Sequence, residues 1–320
     1  MGPRADAGGR APHRSAGLLR WYPATWRERY GDELDALMAD SLGGRPPSPR
    51  FRLSIAWAGL RERAHGSGLV GDGSPPAERV RGGSLLVLCA WTAFVVGGVG
   101  FSKTSEHFVG TVPASGRPLS TGSFDAVQVL ASVGAVLVVL GAVLVLPAFV
   151  RFLGAGGWPA IRRRVLWAGA ATVVTVAAVI PLGVIAHRLN SAQRNGADWH
   201  YSVGFAVVAL ASVATLALWT AAAVAAVQRM ELRTGLVVAE SALATALAAV
   251  MVLITGSTAL WWGSMAFSAP WFLQGTSTGT PGSPFELNIV VAMALMLGAT
   301  LAAGFGVVRM SRSWSRLLSG

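Results

Sequence analysis

The chain has 320 residues, of which 53% are apolar and 13% charged, with a formal net charge of +11. So apolar a chain with so few charges excludes an ordinary water-soluble domain and places it among membrane proteins. Its basic residues are spread along the chain rather than gathered in one soluble domain, so the charge does not mark a nucleic-acid partner. Cys89 is the only cysteine, which rules out an intramolecular disulfide and any cysteine metal cluster built from one chain. It lies inside an apolar run, where a small buried side chain is the expected role.

Residues 1–14 (MGPRADAGGRAPHR) have no periodicity and carry Gly, Pro and charge, as expected of a disordered tail without a secretory h-region. Residues 15–64 differ. Pro23 suits the first turn of a helix, and Trp26, Tyr30, Leu34, Leu37 and Met38 then recur at helical spacing. Glu28, Arg29, Asp32, Asp35 and Asp40 occupy the other faces. After the breaker SLGGRPPSPR a second helix is expected from Phe51 to Ala64, with Leu53, Trp57, Leu60 and Ala64 on one face. Two such helices can bury their stripes against each other as a cytoplasmic hairpin. A pair this small also calls for docking on the membrane, a partner or a second copy. Residues 65–83 are expected to be a flexible linker.

The stretch RWYPATWRERYGDEL resembles a signature, Tyr-Pro-x-x-aromatic-Arg-x-Arg-Tyr-Gly-x-Glu, found ahead of the membrane domains of many actinobacterial multi-pass proteins. It is similar to the prefix module of certain bacterial ABC-type permeases. The matching positions are Tyr22, Pro23, Trp26, Arg27, Arg29, Tyr30, Gly31 and Glu33. The resemblance implies a cytosolic helical adaptor rather than a chemistry. The chain has no stretch equivalent to the large extracytoplasmic domain of such permeases.

Six apolar runs follow, at 84–101, 126–149, 165–187, 203–227, 236–262 and 287–308, each about the 20 residues needed to cross a bilayer. Alternate loops divide the basic residues unevenly. Nine flank one side, at Arg151, Arg162, Arg163, Arg164, Arg229, Arg233, Arg309, Arg312 and Arg316, against Lys103, Arg117, Arg188 and Arg194 on the other. Thirteen more precede the first run. The positive-inside rule then puts both termini, including the tail 309–320, in the cytoplasm of a cell-membrane protein. Trp158, Trp167, Trp199, Trp261, Trp262 and Trp271 sit near the run ends, as interfacial anchors do. Glycines such as Gly97, Gly98, Gly134, Gly298, Gly304 and Gly306 favour close helix packing.

Little chemistry is written on the runs. Glu240 is the one charged side chain clearly inside a span, and intramembrane carboxylates are costly enough to be functional candidates. It can equally pair with Arg233 or the 162–164 arginines. Pro181 interrupts the third run and is expected to kink it, which can line a substrate path. His187, Asp198 and His200 are close in sequence but lack a strong metal spacing. The similar ends of two long loops, at 122–125 and 282–286, read as helix caps, with Ser283, Pro284 and Glu286 forming a capping box. No phosphate-binding loop or nucleophile triad is present.

These readings converge on an all-α polytopic protein, a six-helix transmembrane bundle with an N-terminal cytoplasmic helical hairpin, and not an enzyme. The expected role is a scaffold or regulatory partner that binds a cytosolic protein through Tyr22, Trp26, Arg27, Arg29, Tyr30, Glu33 and Trp57. The alternative is a transporter or permease subunit with a path near Glu240 and Pro181. Expected partners are the lipid bilayer, a cytosolic regulatory protein or ATPase subunit, and a second copy in a homo-oligomer. No nucleic acid, metal or cofactor is expected.

Overall fold

The computed structural model describes residues 16–43, 45–66, 76–105, 108–110, 112–189, 199–230, 232–273 and 285–318. Among these there is no β-strand. The elements are α1 (Ala16–Leu19), α2 (Ala24–Leu42), α3 (Pro49–Gly66), α4 (Pro76–Thr104), a 3-10 turn (Phe108–Gly110), α5 (Arg117–Gly154), α6 (Trp158–Arg188), α7 (Trp199–Val227), α8 (Thr234–Ser268), α9 (Pro270–Leu273) and α10 (Phe285–Leu318). Six of them, α4 to α8 and α10, are long and apolar enough to cross a membrane. The chain divides into two compact units, Met1–Gly82 and Gly83–Gly320.

In the first unit, Pro23 stands just before α2 with extended backbone, and Gly43 closes the helix at φ 51°. A left-handed residue here lets the Gly43 N–H reach the Ala39 carbonyl at 3.1 Å, which is why glycine occupies it. The Ser48 hydroxyl accepts the Phe51 N–H at 3.2 Å and starts α3. The expected hairpin is corrected in its packing. Contacts run from α1 to α2 and from α1 to α3, so the short first helix and the turn after it form the hub. Gly59 of α3 rests on the Trp21 backbone so closely that a Cβ would lie 2.8 Å from the Trp21 carbonyl carbon. Met38 and Tyr22 are buried, whereas Tyr30, Leu37, Leu53, Trp57 and Leu60 are exposed.

The second unit is built around α4, α8 and α10. In their most apolar windows 39%, 44% and 33% of residues are buried, against 6% in each of α5, α6 and α7. The three outer helices therefore present apolar flanks outward, as lipid-facing helices do. Glycine sets the central spacing. A Cβ on Gly97 would lie 2.9 Å from the Ala292 carbonyl oxygen of α10, and one on Gly306 would lie 2.9 Å from the Gly83 carbonyl oxygen. The Trp91 ring of α4 fills the notch at Gly134 of α5. Outside this core, α5 packs most extensively on α8, and α6 on α7. Ala148, Ile161, Ala226 and Met230 tie α5, α6 and the end of α7 together, with Leu236 of α8 packed against them.

Hydroxyl pairs join helices at several levels. Thr92 and Thr220 lie 2.9 Å apart between α4 and α7, as do Thr175 and Thr215 between α6 and α7, and Thr255 and Thr300 between α8 and α10. Thr92, Thr220, Thr255 and Thr300 each also lie 2.8–3.1 Å from a carbonyl in their own helix, so within each pair one hydroxyl donates to that carbonyl while accepting the proton of the other.

The helices overrun the apolar runs that announced them. The residues from Pro76 to 83, expected as linker, form the first turns of α4, with Glu78 in its opening turn. The 122–125 stretch is not a cap. It lies inside α5, which begins at Arg117–Pro118, and the Ser123 hydroxyl donates to Leu119 at 2.8 Å as an interior serine. The expected tail is helical through Leu318. Hydropathy marks where a helix leaves lipid, whereas a helix stops at a breaker or cap. The 1–14 tail, residues 67–75 of the linker, and the Ser283–Pro284 cap fall outside the described residues.

Candidate functional site

The residues first singled out in the N-terminal unit separate into a core pair and two outward faces. Tyr22 is buried, and its ring stacks on Trp26 at 4.2 Å between centroids. Burial, and secondarily the Glu62 carboxylate, hold the Tyr22 phenol above its ordinary pKa. Tyr22 and Trp26 therefore build the unit rather than its surface, and Tyr30 leans on Trp26 at 5.4 Å from the exposed side. One outward face belongs to α2, where Arg27, Arg29, Tyr30, Glu33 and Leu37 are all exposed. With Glu28, Asp32 and Asp40, also exposed, α2 shows four carboxylates against two arginines.

The other face belongs to α3. Leu53 is 72% exposed, Trp57 71% and Leu60 44%, so the stripe expected to close the hairpin is turned out of it. What packs inward is the opposite side, where Phe51, Ile55 and Glu62 are half-buried and Gly59 is buried. α3 thus has two apolar faces. Arg50, Arg52, Arg61 and Arg63 are exposed, and Arg63 Nη2 also donates to the Arg20 carbonyl. Sequence periodicity detects an apolar stripe but not which of two stripes finds a partner within the chain.

In the membrane unit, Pro181 lines a cleft of about 350 Å³ between α6 and α7, with Leu182, Ile185, His200, Tyr201 and Gly204 among its walls. The helix continues through Pro181 to Arg188. Glu240 lies elsewhere. It is half-buried near the start of α8, next to Ser241, whose hydroxyl accepts the Trp314 indole N–H at 3.1 Å. Ile161 of α6 clusters with Leu236 of α8, and Pro181 is twenty residues further along α6, about 30 Å at 1.5 Å per residue. Glu240 and Pro181 are therefore at opposite ends of the bundle and do not share a site. The arginines 162–164 are exposed on α6.

Two expectations about side-chain roles need correction or limits. Trp261 is not an interfacial anchor. It is fully buried and meets Phe101, Phe108 and Phe272 edge-on at 5.0, 5.5 and 6.4 Å. It falls in register with Ile254, Thr258 and Met265 on the buried stripe of α8, and among the described residues its indole N–H has no hydrogen-bond partner. Trp158, Trp167, Trp199 and Trp271 are exposed, as anchors require. His187 and His200 are exposed at facing ends of α6 and α7, while Asp198 lies outside the described residues. Among the described residues no three metal-ligating side chains converge.

The Trp261 cluster and the threonine pairs carried no sequence signal that set them apart from ordinary apolar or small residues, whereas Pro147, a second proline inside a long helix, interrupts its run as Pro181 does and was legible in the same way. Comparison with known proteins adds no relative: no family model, curated protein or solved structure matches the chain.

Proposed function

We propose that the chain is a multi-pass scaffold of the cell membrane that recruits a cytosolic protein through the outward face of α2. The observation that carries this reading is the exposure of Arg29, Tyr30, Glu33 and Leu37 on a helix held from behind by Tyr22 and Met38. An aromatic and an aliphatic anchor inside a ring of charges is the make-up of a protein-binding patch. The surplus of carboxylates on α2 calls for a basic partner surface. The uneven division of arginines between alternate loops supports a cytoplasmic position for this unit and for the end of α10.

A photo-crosslinking residue in place of Leu37 is expected to capture one cytosolic protein in cells. Asp32→Arg with Glu33→Arg is expected to cut that capture severalfold. No capture at Leu37, or capture indifferent to the charge reversal, removes α2 as the site. In a Cys89→Ala background, Ser277→Cys should react with an impermeant thiol reagent in intact cells and Ser48→Cys should not; the reverse pattern overturns the orientation.

The cleft at Pro181 supports a second reading, a transporter or permease subunit working with a separate ATPase. That reading expects Gly204→Leu, which fills the cleft, to abolish a substrate-dependent flux in reconstituted vesicles while the protein stays folded, and unchanged flux removes the cleft from it. Glu240→Gln, at the opposite end of the bundle, tests a separate proton-coupling role, which unchanged flux removes.

A further inference from the structure

The outward face of α3 has a pattern that the inward face does not. Leu53, Trp57 and Leu60 follow at i, i+4 and i+7 and form one exposed row. At 3.6 residues per turn, Arg50 and Arg61 fall about 60–80° to one side of Leu53, and Arg52 and Arg63 about 80–100° to the other. An exposed apolar row bordered on both sides by arginines is the arrangement of a helix lying in a lipid interface. The apolar side chains enter the acyl boundary, and the long guanidinium stems extend sideways to the phosphates.

Charge selects the occupant. A second copy of α3 laid on this face would set arginine rows against arginine rows. The acidic α2 has the wrong sign for an anionic surface, so the unit is polarised, with one helix for lipid and one for water. The tether agrees. Nine residues separate Gly66, the end of α3, from Pro76, the start of α4, and the ten steps from one to the other span at most about 35 Å. α3 therefore cannot leave the neighbourhood of the membrane that α4 enters.

We propose that α3 lies on an anionic lipid surface, with Leu53, Trp57 and Leu60 at the headgroup–acyl boundary and the flanking arginines on lipid phosphates. This assignment concerns α3 alone and stands whether or not α2 recruits a protein.

The test uses the full chain, reconstituted in phosphatidylcholine vesicles with or without phosphatidylglycerol. Spin labels are placed at Leu53→Cys on α3 and at Ala36→Cys on α2, each with Cys89→Ala. With phosphatidylglycerol, collision of a water-soluble nickel complex with the label at 53 should fall several-fold below that at 36, while oxygen collision rises. Replacing Arg50, Arg52 and Arg61 by Gln, or omitting the anionic lipid, should restore nickel access at 53. Equal nickel access at the two positions in anionic vesicles overturns the proposal. So does protection at 53 that survives in pure phosphatidylcholine, which would signify a protein cover, with spin–spin broadening if the cover is a second copy. Hydrogen exchange on the unsubstituted chain is the independent check. α3 amides should exchange more slowly with phosphatidylglycerol than without it, and identical rates refute the assignment.

Discussion

Two consecutive glycines of α4 should respond oppositely to the same substitution. Gly97 faces α10, where a Cβ would lie 2.9 Å from the Ala292 carbonyl oxygen and 2.9 Å from Met296 Cγ. The methionine can turn away, but the carbonyl belongs to a helix backbone and yields only if the two helices separate. Forcing a methyl group into such a contact costs about 1–3 kcal/mol. Gly98, one position on, would place its Cβ in open space, with nothing within 4 Å. There Gly→Ala should only stiffen the helix, a gain of up to about 1 kcal/mol. Gly97→Ala and Gly98→Ala are thus predicted to move stability in opposite directions, by roughly 2 kcal/mol between them, or about thirtyfold in the unfolding equilibrium.

Reversible unfolding in mixed micelles by titration with dodecyl sulfate, followed by circular dichroism, measures both. Equal effects at the two positions would refute the glycine-mediated crossing of α4 and α10. The same logic extends to the other end of the crossing. Gly83 and Gly306 each present a carbonyl to the other's missing Cβ, at 2.8 and 2.9 Å. Gly83→Ala and Gly306→Ala should each destabilise, and the double variant should cost less than their sum, because one methyl already opens the gap for the second.

Trp261→Ala should cost about 3–5 kcal/mol in the same assay, and Trp262→Ala about 1 kcal/mol, since only the first is fully enclosed; similar losses would refute the cluster. The Thr92–Thr220 pair should show a coupling of about 0.6 kcal/mol in a double-mutant cycle with valine, and zero coupling would mean the hydrogen bond adds nothing. Tyr22 titrates late because burial raises its pKa, so its contribution is intact below the unfolded value of about 10 and is lost as pH climbs through the folded value. Tyrosinate absorbance should therefore show a delayed step that Tyr22→Phe deletes, along with part of the alkaline loss of stability; an unchanged titration would place the phenol in solvent.

The positions of the six membrane helices were legible because lipid selects composition directly, and any run of about twenty apolar residues satisfies it. Their ends were not. Pro76, Arg117 and Leu318 lie well outside the apolar runs, since a helix with a satisfied backbone continues into water until a breaker stops it. Facing was legible only in part. Small residues announced close packing, and Gly97, Gly134 and Gly306 provide it, yet Gly98, Gly298 and Gly304 have nothing near the missing Cβ. Trp261 and Trp262 are neighbours separated by about 100° of helix rotation, so one is core and the other is not. Composition cannot tell them apart, because in lipid both faces of a helix are apolar.

The same indifference explains the N-terminal unit, where helical periodicity predicts Tyr30, Leu53 and Trp57 inside and the fold turns them out. The periodicity of α2 and α3 assigns nine positions to one shared core, but a 19-residue and an 18-residue helix meeting through a four-residue hub cannot enclose two stripes each. The inner stripe, from Phe51 through Ile55 to Gly59, takes the hub. The outer one remains, and exposing apolar surface to water costs about 25 cal/mol for each Å² left uncovered. On α5, α6 and α7 the same exposure is relieved by the bilayer, because those helices lie within it. On α3 it comes with arginines on both flanks, and on α2 with carboxylates. The remedy we propose for each helix therefore follows from the sign of its border, lipid phosphate for one and a basic protein surface for the other.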